Sequence, residues 1–268
     1  MSRGNTMRLG MSTAAFYGRF ETEEAASFIS GLPIDRAEVF LQGPSEWERG
    51  FAQDVRRRLG SVVCTSVHPL GTDFENGMFS RSPRKRRDTM DIIRRVLDAG
   101  AELGAGMYVY HGRFAPRHEV HRWNMQANAD ALGPMCEEAE KRGMHIAWEN
   151  VEWCQLTDES RVREARRAMP QVRYTLDIKQ AMRAGRDPFD MARAMGDRLV
   201  NVHVCDWDEQ GKLCLPGEGT FDFVGFFALL RSLGFGGPVI LEPYLALIKS
   251  DEALMRSIAH LRNAMLTR

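Results

Sequence analysis

The chain has 268 residues, 44% of them apolar, with 36 basic and 36 acidic side chains, so its net charge is zero. The length suits one (β/α)8 barrel with a substantial core, and the balanced charge gives no bulk pull toward nucleic acid or an acidic membrane. No apolar run approaches the ~18 residues of a transmembrane helix, residues 1–10 lack a signal-peptide stretch, and five scattered cysteines without a CxxC pair suit a reducing cytoplasm.

Residues 7–12 read as a first strand, after which Thr22 is expected to cap a helix that buries Ala25, Phe28 and Ile29. A second strand is expected over 37–41, then a helix over 46–59 with Gly60 as its stop. A third strand over 61–67 leads to His68-Pro69. A long helix starting at Asp88 turns Ile92, Ile93, Val96 and Leu97 inward. The fourth strand, 106–110, leads to His111-Gly112, and a helix over 119–142 stops at Gly143. Four more strands are expected near 145–149, 172–177, 199–204 and 238–242, with helices near 160–168, 188–195, 223–233 and 251–266. Eight strand–helix units without a linker give an α/β fold, a (β/α)8 barrel, as one domain over 1–268 with its core at about 7–266.

The last four strands each end in a residue that binds metals: Glu149, Asp177, His203 and Glu242. Strand ends of this kind converge on the mouth of a parallel barrel. Three carboxylates and one imidazole there suit a divalent cation. Residues two apart share a face, so Ala147 and His145 lie below Glu149, Thr175 and Arg173 below Asp177, and Asn201 below His203. Arg173 and Asn201 are polar on a would-be core face, which points to a polar lower layer or to a different strand register.

The segments WEN, TLDIKQA, VNVHVCDWD, LPGEGTFDF and VILEPY, in this order and spacing, resemble the xylose-isomerase-like barrels. That superfamily includes sugar-phosphate isomerases and epimerases, ketose 3-epimerases, inosose dehydratases and a type of AP endonuclease. The resemblance runs from Met7 to about Leu266 and is most specific between Trp148 and Tyr244. It implies that Glu149, Asp177, His203 and Glu242 hold one divalent ion, manganese, cobalt, magnesium or zinc, with the two glutamates also acting as acid and base. The chemistry fits those residue types. Moving a proton beside a carbonyl needs a base, an acid and charge stabilisation. His68 and His111 match histidines that bind a second metal in the nuclease branch and contact substrate in many sugar-acting members. Gln180 stands where the family usually has histidine, and no Asp-x-His pair follows His203, so a three-metal nuclease site is not available. Lys179 is read as a replacement positive group. Trp207 and Glu218, the latter in the loop 217–222, complete the substrate-binding set.

The run 81–87 is the one strong basic cluster, expected as a solvated helix start or a phosphate contact. Phe16, Tyr17, Trp148, Trp153, Trp207 and Tyr244 lie near strand ends, where aromatic walls stack on sugars or pack under loops. The resulting expectation is a cytoplasmic, metal-dependent sugar (or sugar phosphate or keto-polyol) isomerase or epimerase working through a metal-stabilised enediolate. It would act on a small molecule rather than nucleic acid and form a homo-oligomer by resemblance. Alternatives are an inosose-type dehydratase, an AP endonuclease-like phosphodiesterase, and a non-catalytic sugar-binding barrel.

Overall fold

The computed structural model describes residues 6–71, 74–114 and 123–267. Its strands are β1 (Arg8–Ser12), β2 (Arg36–Leu41), β3 (Val63–Pro69), β4 (Met107–Tyr110), β5 (His145–Glu149), β6 (Arg173–Asp177), β7 (Leu199–Val204), a small ribbon of β8 (Asp206–Trp207) and β9 (Leu213–Cys214), and β10 (Pro238–Leu241). All but the ribbon pair in parallel and close into one barrel in the order β1-β10-β7-β6-β5-β4-β3-β2. This is the (β/α)8 barrel expected from the strand–helix alternation.

The outer ring is α1 (Thr22–Ser30), α2 (Arg49–Leu59), α3 (Pro83–Leu103), α4 (Met125–Glu140), α5 (Glu159–Ala168), α6 (Ile178–Arg183), α7 (Pro188–Met195), α8 (Phe223–Ser232) and α9 (Asp251–Leu266). Each lays an apolar stripe on the strands, such as Ile93, Val96 and Leu97 of α3 and Leu254, Ile258 and Leu261 of α9. Several boundaries differ from expectation. Thr22 is the first residue of α1 rather than its cap, and its hydroxyl donates to Phe40 O and the Glu46 carboxylate instead. α3 begins at Pro83, five residues before Asp88, because Ser82 accepts the Lys85 amide as N-cap and Pro83 fits the first helical position. The basic run therefore spans the start of a helix, with Arg81 before the cap and Arg84 to Arg87 inside it. α4 begins at Met125 with Asn124 as its cap. The expected start at Glu119, with His118 and His121, lies outside the described residues. α6 had not been expected at all.

Two register shifts build the barrel interior. Between β2 and β3 the pairing passes from Ala37–Cys64 to Glu38–Ser66, and between β6 and β7 from Tyr174–Leu199 to Thr175–Asn201. Each skips one residue, Thr65 and Val200. A one-residue offset changes which face a side chain takes, so these bulges set Glu38 beside Ser66 and Thr175 beside Asn201. Glu38, Ser66, Thr175 and Asn201 are all fully buried. The polar lower layer is thus real, but Arg173 is not part of it. Arg173 is half-buried at the start of β6, where its guanidinium donates to Pro170 O.

Candidate metal centre

The four strand-end residues converge. Glu149, Asp177, His203 and Glu242 each offer a ligand atom, and these atoms lie within 4.8 Å of one another. Asp177 closes β6 and caps α6. Its Oδ1 accepts the Gln180 amide at 3.0 Å, leaving Oδ2 for the centre. Asn150, one residue beyond β5, clamps the Asp177 backbone. It accepts the Asp177 amide at 2.8 Å and donates to its carbonyl at 3.0 Å, fixing two neighbouring strand ends together. His203 turns Nδ1 toward Glu149 Oε1 (3.3 Å) and Glu242 Oε2 (3.2 Å).

Buried side-chain oxygens and nitrogens are almost always hydrogen-bonded. Glu149 Oε2, Asp177 Oδ2 and His203 Nδ1 have no hydrogen-bond partner although all three residues are buried. Three carboxylates and an imidazole, gathered within 4.8 Å and leaving buried polar atoms without a hydrogen-bond partner, fit a divalent ion. A second group shares Glu149: His68 Nε2 lies 2.6 Å from His111 Nε2, and Glu149 Oε2 lies 3.3 Å from His111.

The sequence reading missed Glu38, which lies inside β2 rather than at its end. Its carboxylate meets His68 Nδ1 and His203 Nε2, and a third ligand group joins it to His68, His203 and Glu242. The available signal was a charged residue between Ala37 and Val39 in an otherwise apolar strand. Glu75 was missed too. It is buried under the barrel wall and accepts a hydrogen bond from the Tyr108 hydroxyl at 2.9 Å. Burial pushes its carboxyl up to about 8. Gly112, with φ at +93°, follows His111 where a Cβ would sit 2.7 Å from Trp148 Nε1, so no side chain fits there.

Burial works against every charge in the cluster, and the neighbours decide the outcome. Burial raises the Glu149 carboxyl, but His111 and His203 outweigh it and hold the group well below the ordinary range. Glu242 is likewise raised by burial and lowered further by His203 and Lys179. Asp177 goes the other way. Burial dominates, Lys179 only partly offsets it, and the group rises to about 6. Burial lowers His68, yet Glu242 and Glu38 lift it to about 10. His203 is also raised, by Glu38 and Glu242 against burial, whereas burial wins at His111 and lowers it.

Lys179 is buried with its ammonium 3.3 Å from both Asp177 Oδ2 and Glu242 Oε2. It neutralises candidate ligands as well as facing the cleft. That cleft, of about 540 Å³, is lined by Lys179, Gln180, Glu242 and the aromatic rings of Tyr17, Phe40, Trp153 and Tyr244, among others. Gln180 also accepts the Glu152 amide. Trp207 and Glu218 do not line this cleft. The Trp207 ring packs on Phe221, and Glu218 is exposed on a loop whose Gly217, Gly219 and Phe221 amides all donate to Asp206. Phe16 and Trp148 are core residues.

A closed parallel barrel with an acidic and histidine cluster at the carboxyl ends of its strands defines a class of barrel with its site at the mouth. The sequence pattern of the xylose isomerase-like TIM barrel matches residues 34–264, and the chain belongs to that family. It is 41% identical over 261 residues to the uncharacterized protein Rv0498 of Mycobacterium tuberculosis, covering 88% of each chain. It is 28% identical over 261 residues to a 3-dehydroshikimate dehydratase of Pseudomonas putida, covering 88% of this chain but 38% of that one. Among solved structures, a D-psicose 3-epimerase crystallised in the presence of D-fructose superposes with a TM-score of 0.79. It shares 14% identity and covers 97% of this chain and 99% of its own, a likeness of fold. No described helix is long and apolar enough to cross a membrane.

Proposed function

We propose that this protein is a divalent-metal-dependent isomerase or epimerase of a small sugar or sugar-derived ketone, acting in the cytoplasm. One observation carries the reading: four buried residues at the mouth of a barrel each offer a ligand atom within 4.8 Å of the others, and three of these residues hold a polar atom without a hydrogen-bond partner. Glu149, Asp177, His203 and Glu242 would hold the ion. Such an ion, when bound, would supply Lewis-acid polarisation that makes the C–H beside the substrate's carbonyl more acidic. Glu149 and Glu242, on strands separated by β6 and β7, act as base and acid. One carboxylate removes the proton from that carbon and the other returns a proton, giving inversion or carbonyl migration. Asp177 is held by its own cap to α6 and by Asn150, which suits a fixed ligand rather than a proton carrier. Tyr17, Trp153 and Tyr244 supply apolar faces for the substrate carbon chain and exclude water.

The test is exchange. Purified protein, incubated in turn with manganese, cobalt, magnesium and zinc, is given a panel of ketoses in heavy water. Deuterium at the carbon beside the carbonyl, with formation of an epimer or isomer, is the expected result. Absence of exchange with every ion and ketose would sink the proposal. A product lighter by one water would replace it with dehydration, the reaction that the likeness to a 3-dehydroshikimate dehydratase favours as second reading. Dehydration begins with the same proton abstraction.

A further inference from the structure

Glu38 lies one layer below the ligand atoms and is fully buried. Its Oε1 is 3.1 Å from His68 Nδ1. Its Oε2 is 3.1 Å from His203 Nε2, 3.1 Å from Asn201 Nδ2 and 2.7 Å from Ser66 Oγ. An ionised carboxylate can only accept hydrogen bonds, so the ring nitrogen facing it carries a proton in both histidines. The two rings present opposite nitrogens to it. His68 is thereby left with Nε2 toward His111 and Glu149, and His203 with Nδ1 toward Glu149 and Glu242.

We infer that Glu38 is a positioning residue, a single carboxylate that fixes the orientation and the protonated nitrogen of His68 and His203 together. It thereby ties the ion position beside His203 to the position beside His68. The inference rests on reading the cluster as an ion site. A charge this deep is unfavourable unless its donors require it. Ser66 and Asn201 are neutral and orient the carboxylate, whereas the two imidazoles need an acceptor on each oxygen. A glutamine of the same shape would serve one histidine and present an NH2 donor to the other. Partners that orient a ligating imidazole in this way change ion affinity by about 10–100-fold when removed.

The experiment uses the full chain with zinc chloride as the only ligand. In wild type, proton NMR of nitrogen-15-labelled histidine should show two hydrogen-bonded ring N–H resonances, on Nδ1 of His68 and Nε2 of His203. Glu38→Gln should lose one of them, and zinc affinity by calorimetry should fall about 10–100-fold. Both resonances intact in the variant, or a zinc affinity within twofold of wild type, would overturn the inference. If the variant fails to fold, the wild-type spectrum decides. Absence of a protected proton on Nδ1 of His68 or on Nε2 of His203, the two nitrogens that face Glu38, would overturn it. If wild type binds no zinc, the ion-site reading fails, and the ring resonances, which need no ion, still judge Glu38.

Discussion

Strands β5, β6, β7 and β10 deliver Glu149, Asp177, His203 and Glu242 from at or beside their carboxyl ends, as β3 does His68, whereas β2 delivers Glu38 from within the strand. The charged groups that reach the cleft, Lys179 and Glu242, come from the later half, while the earlier half adds Tyr17 and Phe40 to its walls and Glu38 beneath it. Lys179, Gln180 and Glu242 line the cleft, while Glu38 and His68 lie beneath it, packed against His203. The difference teaches that one shared cluster can combine a face open to the cleft with a scaffold that orients it.

The strongest way to break this division is Glu149→Gln. Removing a base from the later half should lower turnover about 10³-fold, with the thermal midpoint close to wild type. A folded variant that keeps its turnover would dissolve the distinction. Next comes ion content. His203→Ala should lose the bound ion, with affinity down at least about 100-fold, while His111→Ala should retain one equivalent. Elemental analysis of both variants sharpens the contrast between halves. Equal losses would merge the two groups into one site.

A smaller effect separates chemistry from loop support within the later half. Asp206 accepts the amides of Trp207, Gly217, Gly219 and Phe221 at 2.8–3.2 Å. Asp206→Ala should cost about 3 kcal/mol of unfolding free energy in a denaturant titration, since charged acceptors of backbone amides are worth about 1.5–3 kcal/mol each and do not add fully. Ion content should stay unchanged.

The smallest effect lies on the outer ring, where α3 and α4 meet. Glu138 is paired with Lys141, Arg142 and Arg94, which hold its carboxyl near 2 against an ordinary value of 4.5. A depressed pKa contributes stability above pH 4.5 that is lost as pH falls from about 4.5 to about 2. Solvent screening reduces it to about 1 kcal/mol. Wild type should therefore exceed Glu138→Gln in unfolding free energy at pH 7, with the gap narrowing below about pH 4.5 and closing only near pH 2. A gap that stays constant would refute the pairing.

The strand-end groups are the legible ones, His68 and His111 of the earlier half among them. They stand next to helix starts and loops, where alternation stops and a polar residue is conspicuous. The eight strands were readable for the same reason, since each apolar run is bounded by helical sequence. Glu38 was hidden because a strand flanked by helices is buried on both faces, so a lone carboxylate in it has no obvious side. Its partners depend on the bulges at Thr65 and Val200, which only the three-dimensional register reveals. The α3 start was missed because the basic run opposes the helix dipole, while the local Ser82-Pro83 cap overrode that cost. Glu75 and Tyr108 come together from a connecting turn and the outward face of β4, a pairing no periodicity encodes.

Lys179 bears on the order of events after synthesis. With its ammonium between Asp177 and Glu242, the cluster is never a bare collection of like charges. The barrel is therefore expected to fold without an ion, unlike small domains that fold only around zinc. On the proposed function, loading would be an exchange between two cations, a tethered one and a dissolved one. Its balance follows how much free ion the cell keeps, and chelation should return a folded protein ready to be refilled.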